Sequence, residues 1–526
     1  MTDYRLGIDV GGTNTDAVVL TDTGEPVTST KTNTSPDITT GILNVFDEVL
    51  SESHISPDDI DQVMPGTTHC TNAIAERTGL SEVGVIRLGA PATTSVLPLT
   101  TWPDDLIEEI GDNVAVLSGG HEYDGQQISN LDETAIRSTV RDFSHVDAFA
   151  VTSVFSPVQN EHERRVKSII REIVEEDISI SLSYKVGNLG LIERENANIL
   201  NAALTKVAEQ AADSFFAAMQ QRDIDATLYF ARNDGTLMNI LQATSEPVFM
   251  IASGPANSIR GAAHLSGIQN GIVIDVGGTT TDVGVIRDGF PRESAASTDI
   301  GGVDANFHLP DVVSLPIGGG SIVRTDNGSV RVGPESVGHK LTKASKMFGG
   351  DTLTATDIEV AAGSVSLGDT PVNVDEDVIR GVRDQIRQQI TDAVLELRTS
   401  SEPLPAVVVG GGSFLVPTDI ENVSKIYRPE YYDTANAVGV ATAQVSGQSD
   451  RLYDLEHRSR TEALKLAKQR AFDDAISNGV DESTLSVLSI DEVPISYLSR
   501  DVVRIKVNVA GDLNASSQVT GQPKRR

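Results

Sequence analysis

The sequence predicts an α/β protein of two duplicated halves, each a mixed sheet flanked by helices. Three observations carry that prediction. The nine residues IDVGGTNTD at Ile8 to Asp16 return as IDVGGTTTD at Ile274 to Asp282. Nine of thirteen positions are identical between Ile8–Leu20 and Ile274–Ile286, which points to duplication of a whole domain. Around the copies, apolar runs of strand length alternate with amphipathic stretches of helix length.

The elements follow in order. DYRLGIDVGGTNTDAVVLTDTGEPVTSTKT reads as three strands joined by a glycine turn and a turn at DTGE. Helical patterns come at ITTGILNVFDEVLSE and TNAIAERTG, and strands at EVGVIRL and DAFAVTSVF. EHERRVKSIIREIVEE spaces its apolar residues three and four apart, as an amphipathic helix does. A long helix over Glu193 to Gln221 is expected to connect the halves. ATLYFARNDGTLM then gives a strand with a polar turn, and GIVIDVGGTTTDVGVIRDGFPRES repeats the opening plan. AVVVGGGSFLVPTDI reads as a strand, a glycine turn and a helix. A C-terminal segment holds a charged helix (EALKLAKQRAFDDAI), a strand (DVVRIKVNVA) and a frayed end (NASSQVTGQPKRR). The expected division is an N-terminal half over 1–190, a second half over 191–450 and a small α+β segment over 451–526.

Composition narrows the function. No apolar run approaches the ~20 residues of a membrane span, and the first 20 residues lack the basic start of a signal peptide, so a soluble, cytoplasmic protein is expected. One cysteine, Cys70, excludes an intrachain disulfide, a cysteine zinc finger and an iron–sulfur cluster held by this chain alone. Acidic residues number 75 against 41 basic ones, for a net charge of −34, and only 12 of the 41 are Lys. The acids are spread along the chain, so nucleic acid, which demands a basic face, is not an expected partner. An acidic, Lys-poor chain fits a halophile's cytoplasm, where concentrated salt damps self-repulsion. A merely acidic mesophile protein is the alternative.

The doubled phrase is where chemistry is expected. Adjacent glycines are poor strand material, because they lose backbone entropy and pack no side chain. In a strand–turn–strand, Gly11 and Gly12 free the backbone to approach a ligand, and successive N–H groups form a concavity for anionic oxygens. Thr13, Asn14 and Thr15 add donors. Asp9, at its strand end, offers a hard oxygen ligand for Mg²⁺ through water. Asp275, Gly277, Gly278, Thr279 and Thr280 present the same set from the other copy. Two such loops across a cleft would clamp a polyphosphate. A single copy would also serve as a plain tight hairpin capped by Asp16 or Asp282; two in matching context argue for the clamp. Gly410, Gly411 and Gly412 follow a buried strand and form a third loop, on which a flat adenosine ring could lie.

This arrangement resembles the superfamily of acetate and sugar kinases, heat-shock chaperones and actin, whose duplicated actin/ribonuclease-H-like halves grip ATP–Mg²⁺ between hairpins. GIDVGGTNTDAVV, PGTTHCTNAIAER, RNDGTLM, SGPANSIRGA, IDVGGTTTDV, LPIGGGSIV and VRVGPESVGHK look, in that order, like the hydantoinase/oxoprolinase A-subunit family. VGGGSFLVP and ANAVGVATA extend the likeness to about Gly447. The resemblance implies ATP-driven opening of a small cyclic amide such as a hydantoin or 5-oxoproline. It also implies a B-type partner subunit or a self-sufficient homo-oligomer. Asp9 and Asp275 are the candidates for organising Mg²⁺, and either is also a candidate base.

The remaining motifs are expected to face substrate. GTTHCTN puts Thr67, Thr68, Thr71 and Asn72 at a strand-to-helix junction, where N–H groups and hydroxyls bind a carbonyl or phosphoryl oxygen; a plain helix cap is the alternative. His69 and Cys70 diverge by ~100° on a helix and do not form a nucleophile pair. Arg232, Asn233 and Asp234 suit a strand-end cap or anion recognition equally. Lys340, Lys343 and Lys346 form a basic stripe, either a solvated face or a contact to phosphate. A sugar-type kinase and a non-catalytic ATPase switch are the competing readings. The cysteine-rich zinc motif that tends to accompany sugar kinases with this loop is impossible here. The residues after Arg451 are too few for a chaperone's peptide-binding domain.

Overall fold

The computed structural model describes residues 4–11, 14–33, 38–174, 178–187, 189–294, 298–307, 309–326, 329–495 and 501–513. Gly12 and Thr13 of the first loop, and the frayed end expected over 514–526, lie outside them. Among the described residues the chain builds an α/β fold of mixed sheets. Each copy of the repeated phrase forms an antiparallel hairpin at the heart of its own sheet.

The first hairpin is Tyr4–Val10 against Asn14–Thr21, with Pro26–Asn33 beyond it. Tyr4–Val10 also pairs in parallel with Ile60–Thr67, which pairs in parallel with Thr227–Ala231. The sheet continues through Leu237–Asn239, Val445–Asp454 and Val502–Gly511 to Ser486–Pro494, nine strands in all among the described residues. The second hairpin repeats the plan: Gly271–Val276 pairs antiparallel with Thr281–Arg287 and parallel with Leu404–Val409. A third, parallel sheet takes Val114–Ser118, Val83–Ala90, Ala148–Ser153 and Ser179–Leu182.

Sheet membership cuts across the divisions expected at residues 190 and 450. Strands 227–239 and 445–511 hydrogen-bond into the first hairpin's sheet, not the second's. The C-terminal segment is therefore the far wing of that sheet. Its helix Arg460–Ser477 lays Ala463, Ala467, Ala471 and Ala475 on the strands, a four-residue spacing that keeps one face small and apolar. Gly447 allows the contact, since a Cβ there would sit 2.3 Å from the Ala475 nitrogen.

The long helix, Leu191–Gln221, does not bridge the duplicated halves. It runs between the first sheet and the parallel sheet, sharing one core with Leu6, Ile8, Val83 and Ala148. Being buried around much of its circumference, it carries polar residues inward, and these are satisfied. Asn198 donates to the Val151 carbonyl at 3.0 Å, Asn201 to Ser245 at 2.9 Å, and Glu195 pairs with Arg87.

The halves meet instead through two other helices, Ser253–Ser266 and Ala435–Ala441. A Cβ at Gly261 would lie 1.7 Å from the Ala435 carbonyl oxygen, and one at Gly439 1.9 Å from that of Asn257. Only glycine lets these backbones touch. One helix packs on Val273 and Val407 of the second sheet, the other on Val18 and Leu20 of the first. No helix among the described residues is long and apolar enough to cross a membrane.

Candidate active site

In each hairpin the turn closes the same way. The Gly11 N–H donates to the Asn14 carbonyl at 3.0 Å, and the Gly277 N–H to Thr280 at 2.9 Å. Asp9 stands opposite Asp16 across the first hairpin and Asp275 opposite Asp282 across the second. Thr279 and Thr280 are exposed at the turn, with hydroxyls free for a ligand. The last threonine of each copy is different. Thr15 is buried in its strand. Its counterpart Thr281 donates to the Ile317 carbonyl at 2.7 Å, so this position is structural.

The second turn carries a cover. Gly319 N–H donates to the Gly277 carbonyl at 3.0 Å, and Gly320 N–H to Gly278 at 2.7 Å. The third glycine loop lies against the same turn. Gly412 N–H reaches the Val276 carbonyl at 2.8 Å, and Gly410, at φ +84°, leaves no room for a Cβ, which would fall 2.2 Å from Asp275 Oδ1. Gly411 alone of the three faces open space, so only there can a flat ring meet bare backbone. A single 3₁₀ turn, Ser413–Leu415, follows where a helix was expected.

The two lead carboxylates are held from one helix. Asn257 donates to Asp9 Oδ1 at 3.1 Å, and its neighbour Ser258 to Asp275 Oδ2 at 2.5 Å. Adjacent helical residues diverge by ~100°, which lets consecutive positions serve opposite halves. Asn436, on the other interface helix, donates to Asp9 Oδ2 at 2.9 Å and to Asp16 at 2.8 Å. Lys31 pairs with Asp16 at 2.7 Å. Burial is the main influence on Asp9, whose pKa is pushed up to about 6; Asp16 and Asp275 add to the rise while the two asparagines oppose it. Burial also raises Asp275, against the Ser258 hydrogen bond, and lifts Asp282 to about 6. Asp9 and Asp275 thus lie within each other's field. An approaching divalent cation would favour their ionised forms.

Among the described residues no three His, Cys, Asp or Glu side chains gather as a metal site. Mg²⁺ takes one or two carboxylates and fills its shell with water and phosphate oxygens, and Asp9 and Asp275 are the carboxylates that could supply such a pair here.

The junction after Ile60–Thr67 abuts the first hairpin. Thr68 N–H and hydroxyl both reach the Val10 carbonyl, at 3.3 and 3.2 Å. Thr68 stands at the N-cap of helix His69–Glu76 without capping it through its side chain. Thr67 is buried and its hydroxyl bonds His69 Nδ1. Thr71 accepts from the Ala252 N–H at 3.4 Å, tying this helix to the one that carries Asn257, and the next residue, Asn72, is exposed. Burial lowers the His69 pKa and pushes the thiol of Cys70, which sits in the hydrophobic core, up to about 12.

Arg232 joins this edge by register. Val10 is level with Thr67, and Gln62 with Thr227, which carries Thr67 level with Arg232. Two strand spacings, about 10 Å, separate the first loop from Arg232. Arg232 and Asn233 are buried, the guanidinium stacked 4.5 Å from the Phe249 ring centre. Their side chains open onto a separate cavity. Lys340, Lys343 and Lys346 are exposed on three short turns rather than one helix.

Asn257, Ser258, Asn436 and His69 were not singled out from the sequence as site residues. The first three lie in SGPANSIRGA and ANAVGVATA, and their signal was a polar residue inside an otherwise small, apolar helix.

Comparison with known proteins gives the family and the fold. The hydantoinase/oxoprolinase N-terminal region matches residues 5–174, and the hydantoinase/oxoprolinase region matches 194–371. The caprolactamase alpha subunit of Pseudomonas jessenii is 28% identical over 389 residues, covering 69% of this chain and 55% of the relative. The acetophenone carboxylase gamma subunit of Aromatoleum aromaticum is 27% identical over 395 residues, covering 69% and 53%. The chain spans about half the length of these relatives. The crystal structure of ATP-dependent caprolactamase from Pseudomonas jessenii shares the fold, with a TM-score of 0.77 at 18% identity over 97% of this chain and 88% of that one. On these matches, the chain belongs to the hydantoinase/oxoprolinase family.

Proposed function

We propose that the chain is an A-type ATPase subunit that opens a small cyclic amide by phosphorylating the amide oxygen. One observation carries this reading: Asp9 and Asp275 come from duplicated glycine hairpins and are held by consecutive residues, Asn257 and Ser258, of one helix. An amide carbonyl is a poor electrophile. Attack of its oxygen on the terminal phosphorus of ATP forms an O–P bond as the bridging bond to ADP breaks. Water then adds to the carbon, the C–N bond opens as the ring nitrogen takes a proton and leaves an acyl phosphate, and a second water attacks the acyl carbon to release phosphate and the ring-opened carboxylate. Such a transfer needs positioning and charge neutralisation above all. The exposed Thr279 and Thr280 turn and the Gly11 turn bind the phosphates, and Gly411 receives adenosine. Thr68 and the Thr67–His69 pair stand beside the first loop to orient the acceptor oxygen. Mg²⁺, organised by Asp9 and Asp275, neutralises the polyphosphate when bound.

Both curated relatives described above are named as subunits, which supports a partner for this chain. The carboxylase relative motivates a second reading, in which another carbonyl-type acceptor takes the phosphoryl group. The net charge of −34 supports a working environment of concentrated salt.

The test is ATP hydrolysis by the purified chain in molar KCl with Mg²⁺, with and without hydantoins, lactams, ketones plus bicarbonate, and hexoses. Stimulation by a cyclic amide with ring-opened product is the expected result. Stimulation with the ring intact assigns ring opening to a partner subunit. Sugar phosphate formed from a hexose would replace this reading with a kinase.

A further inference from the structure

Three charged residues stand level on the first sheet. Asp9 is opposite Asp16, and Asp16 is opposite Lys31 on strand Pro26–Asn33. The second half repeats the arrangement, with Asp275 opposite Asp282 and Asp282 opposite Ser314 on strand Val312–Leu315. Cross-strand neighbours share a face of the sheet, so each third-strand residue meets the second carboxylate of its copy. The Lys31 ammonium lies 2.7 Å from Asp16 Oδ1, and the Ser314 hydroxyl donates to Asp282 Oδ1 at 2.5 Å. One position therefore carries a full positive charge in one half and a neutral hydroxyl in the other.

Satisfying a buried carboxylate does not explain that lysine. Asp282 is answered by a hydroxyl, and Asp16 already accepts from Asn436 at 2.8 Å. Nor is the pair sealed: Asp16 is buried, while Lys31 keeps 32% of its side chain exposed. An ammonium has three donors, and Asp16 meets it at one oxygen. Its field also crosses the cleft. Burial raises both Asp16 and Asp275, and Lys31 opposes the rise in each, joined on Asp275 by the Ser258 hydrogen bond. Asp275 belongs to the other half, so the ammonium stands within reach of both. The surroundings are otherwise acidic: Asp9 feels Asp16 and Asp275, and Asp433 adds to the repulsion on Asp16. Mg²⁺ offsets only part of a polyphosphate's charge, and a cleft so rich in carboxylates needs a further cation before a terminal phosphate can sit in it.

We propose that Lys31 is a catalytic residue, held on Asp16 until nucleotide enters and then meeting the terminal phosphate of ATP from the first half. It neutralises charge there as the bond to ADP breaks, and it moves no proton. Its flexible stem lets the ammonium swing without moving the strand. Asp16 is the resting place of the cation, and the Asn436 amide keeps that carboxylate satisfied once the cation is shared. Ser314 has no charge to lend, which makes the first half the one that senses the terminal phosphate. The assignment rests on the phosphoryl-transfer part of the proposed function and is independent of which acceptor takes the group.

The experiment is titration calorimetry of the full chain in molar KCl with Mg²⁺, comparing ADP with the β,γ-imido analogue of ATP, which keeps its terminal phosphate. Wild type is expected to bind the analogue more tightly than ADP. Lys31→Met should weaken the analogue by about tenfold or more and ADP by less than about twofold, while Lys31→Arg, which keeps the charge, retains most of the preference. Lys31→Met alone leaves Asp16 buried without its cation, so the decisive pair is Asp16→Asn against Asp16→Asn combined with Lys31→Met. The first should keep the preference for the analogue and the second should lose it. A lysine that only neutralises Asp16 predicts no difference between those two, and that result would overturn the assignment. Equal binding of both nucleotides by wild type, or equal weakening of both by Lys31→Met, would overturn it as well. Failure of wild type to bind the analogue at all would remove the paired-hairpin reading together with this one. Binding of the analogue that depends on Lys31, while no amide stimulates ATP turnover, would refute the amide-activation reading and leave Lys31 in its role.

Discussion

The two hairpins share a phrase, a turn geometry and a register, yet their carboxylates live in different surroundings. Asp9 accepts from two amides and faces an Asp16 that is neutralised by Lys31. Asp275 accepts from one hydroxyl, and its cross-strand neighbour Asp282 has Ser314 at 2.5 Å instead of a cation. The second turn is covered by Gly318–Gly320 and backed by Gly410–Gly412. Duplication therefore preserved the backbone of the hairpin while the side-chain shells diverged. On the proposed reading, a shared scaffold with unequal electrostatics suits two different roles, with Asp9 lifted to about 6 in one and Asp275 packed against the Gly410 loop in the other.

The largest effect should come from removing either carboxylate. Asp9→Ala and Asp275→Ala are each expected to lower ATP turnover by roughly 10³-fold or more, with circular dichroism and melting behaviour retained. Full activity in either variant would refute the paired-hairpin reading. Unequal losses, with neither variant fully active, would show that the halves are not equal partners.

A smaller effect separates the two packings. A Cβ at Gly66 would fall 2.5 Å from Asp9 Oδ1, and one at Gly410 2.2 Å from Asp275 Oδ1. Both alanine variants should displace their carboxylate and cost about 1–3 kcal/mol in chemical denaturation. Gly410→Ala should cost a further ~1–2 kcal/mol, because only that position has positive φ. Equal costs would mean the second loop relaxes more freely than its close contacts imply.

Much of this was legible in the sequence, and particular residues show why. The repeated phrase exposed the duplication, and the alternating patterns located the strands at 4–33, 83–90 and 271–291. What sequence order could not convey was which sheet a later strand joins. Val445–Asp454 and Val502–Gly511 have the same apolar alternation whether they form a separate segment or the wing of the first sheet. The 31-residue helix misled for a related reason: length suggests a bridge, but burial on many sides marks a spine between two sheets. The site's loops were found because glycine pairs are costly without a purpose. Its asparagines and serine were not, because Asn257, Ser258 and Asn436 gain meaning only when Gly261 and Gly439 bring their helices into contact.

The subtlest comparison is between those asparagines and that serine. The acid limb of kcat/KM for ATP reports groups of the free enzyme, so it should fall near pH 6, where Asp9 gains its proton. Asn436 lowers the Asp9 pKa by donating to the carboxylate, and Asp16 raises it by repulsion. Removing the amide in Asn436→Ala takes away the first influence and leaves the second, so the Asp9 pKa must rise. The ionised fraction at any given pH then drops, and the acid limb moves toward higher pH by about one unit. Ser258→Ala acts on Asp275 in the same direction, through the one hydrogen bond that opposes its burial. If only Asn436→Ala moves the limb, Asp9 is the group whose ionisation limits turnover, and Asp275 remains charged throughout. If only Ser258→Ala moves it, those roles are exchanged between the halves, and the asymmetry of the two shells runs opposite to the one drawn from Asp9's two amides.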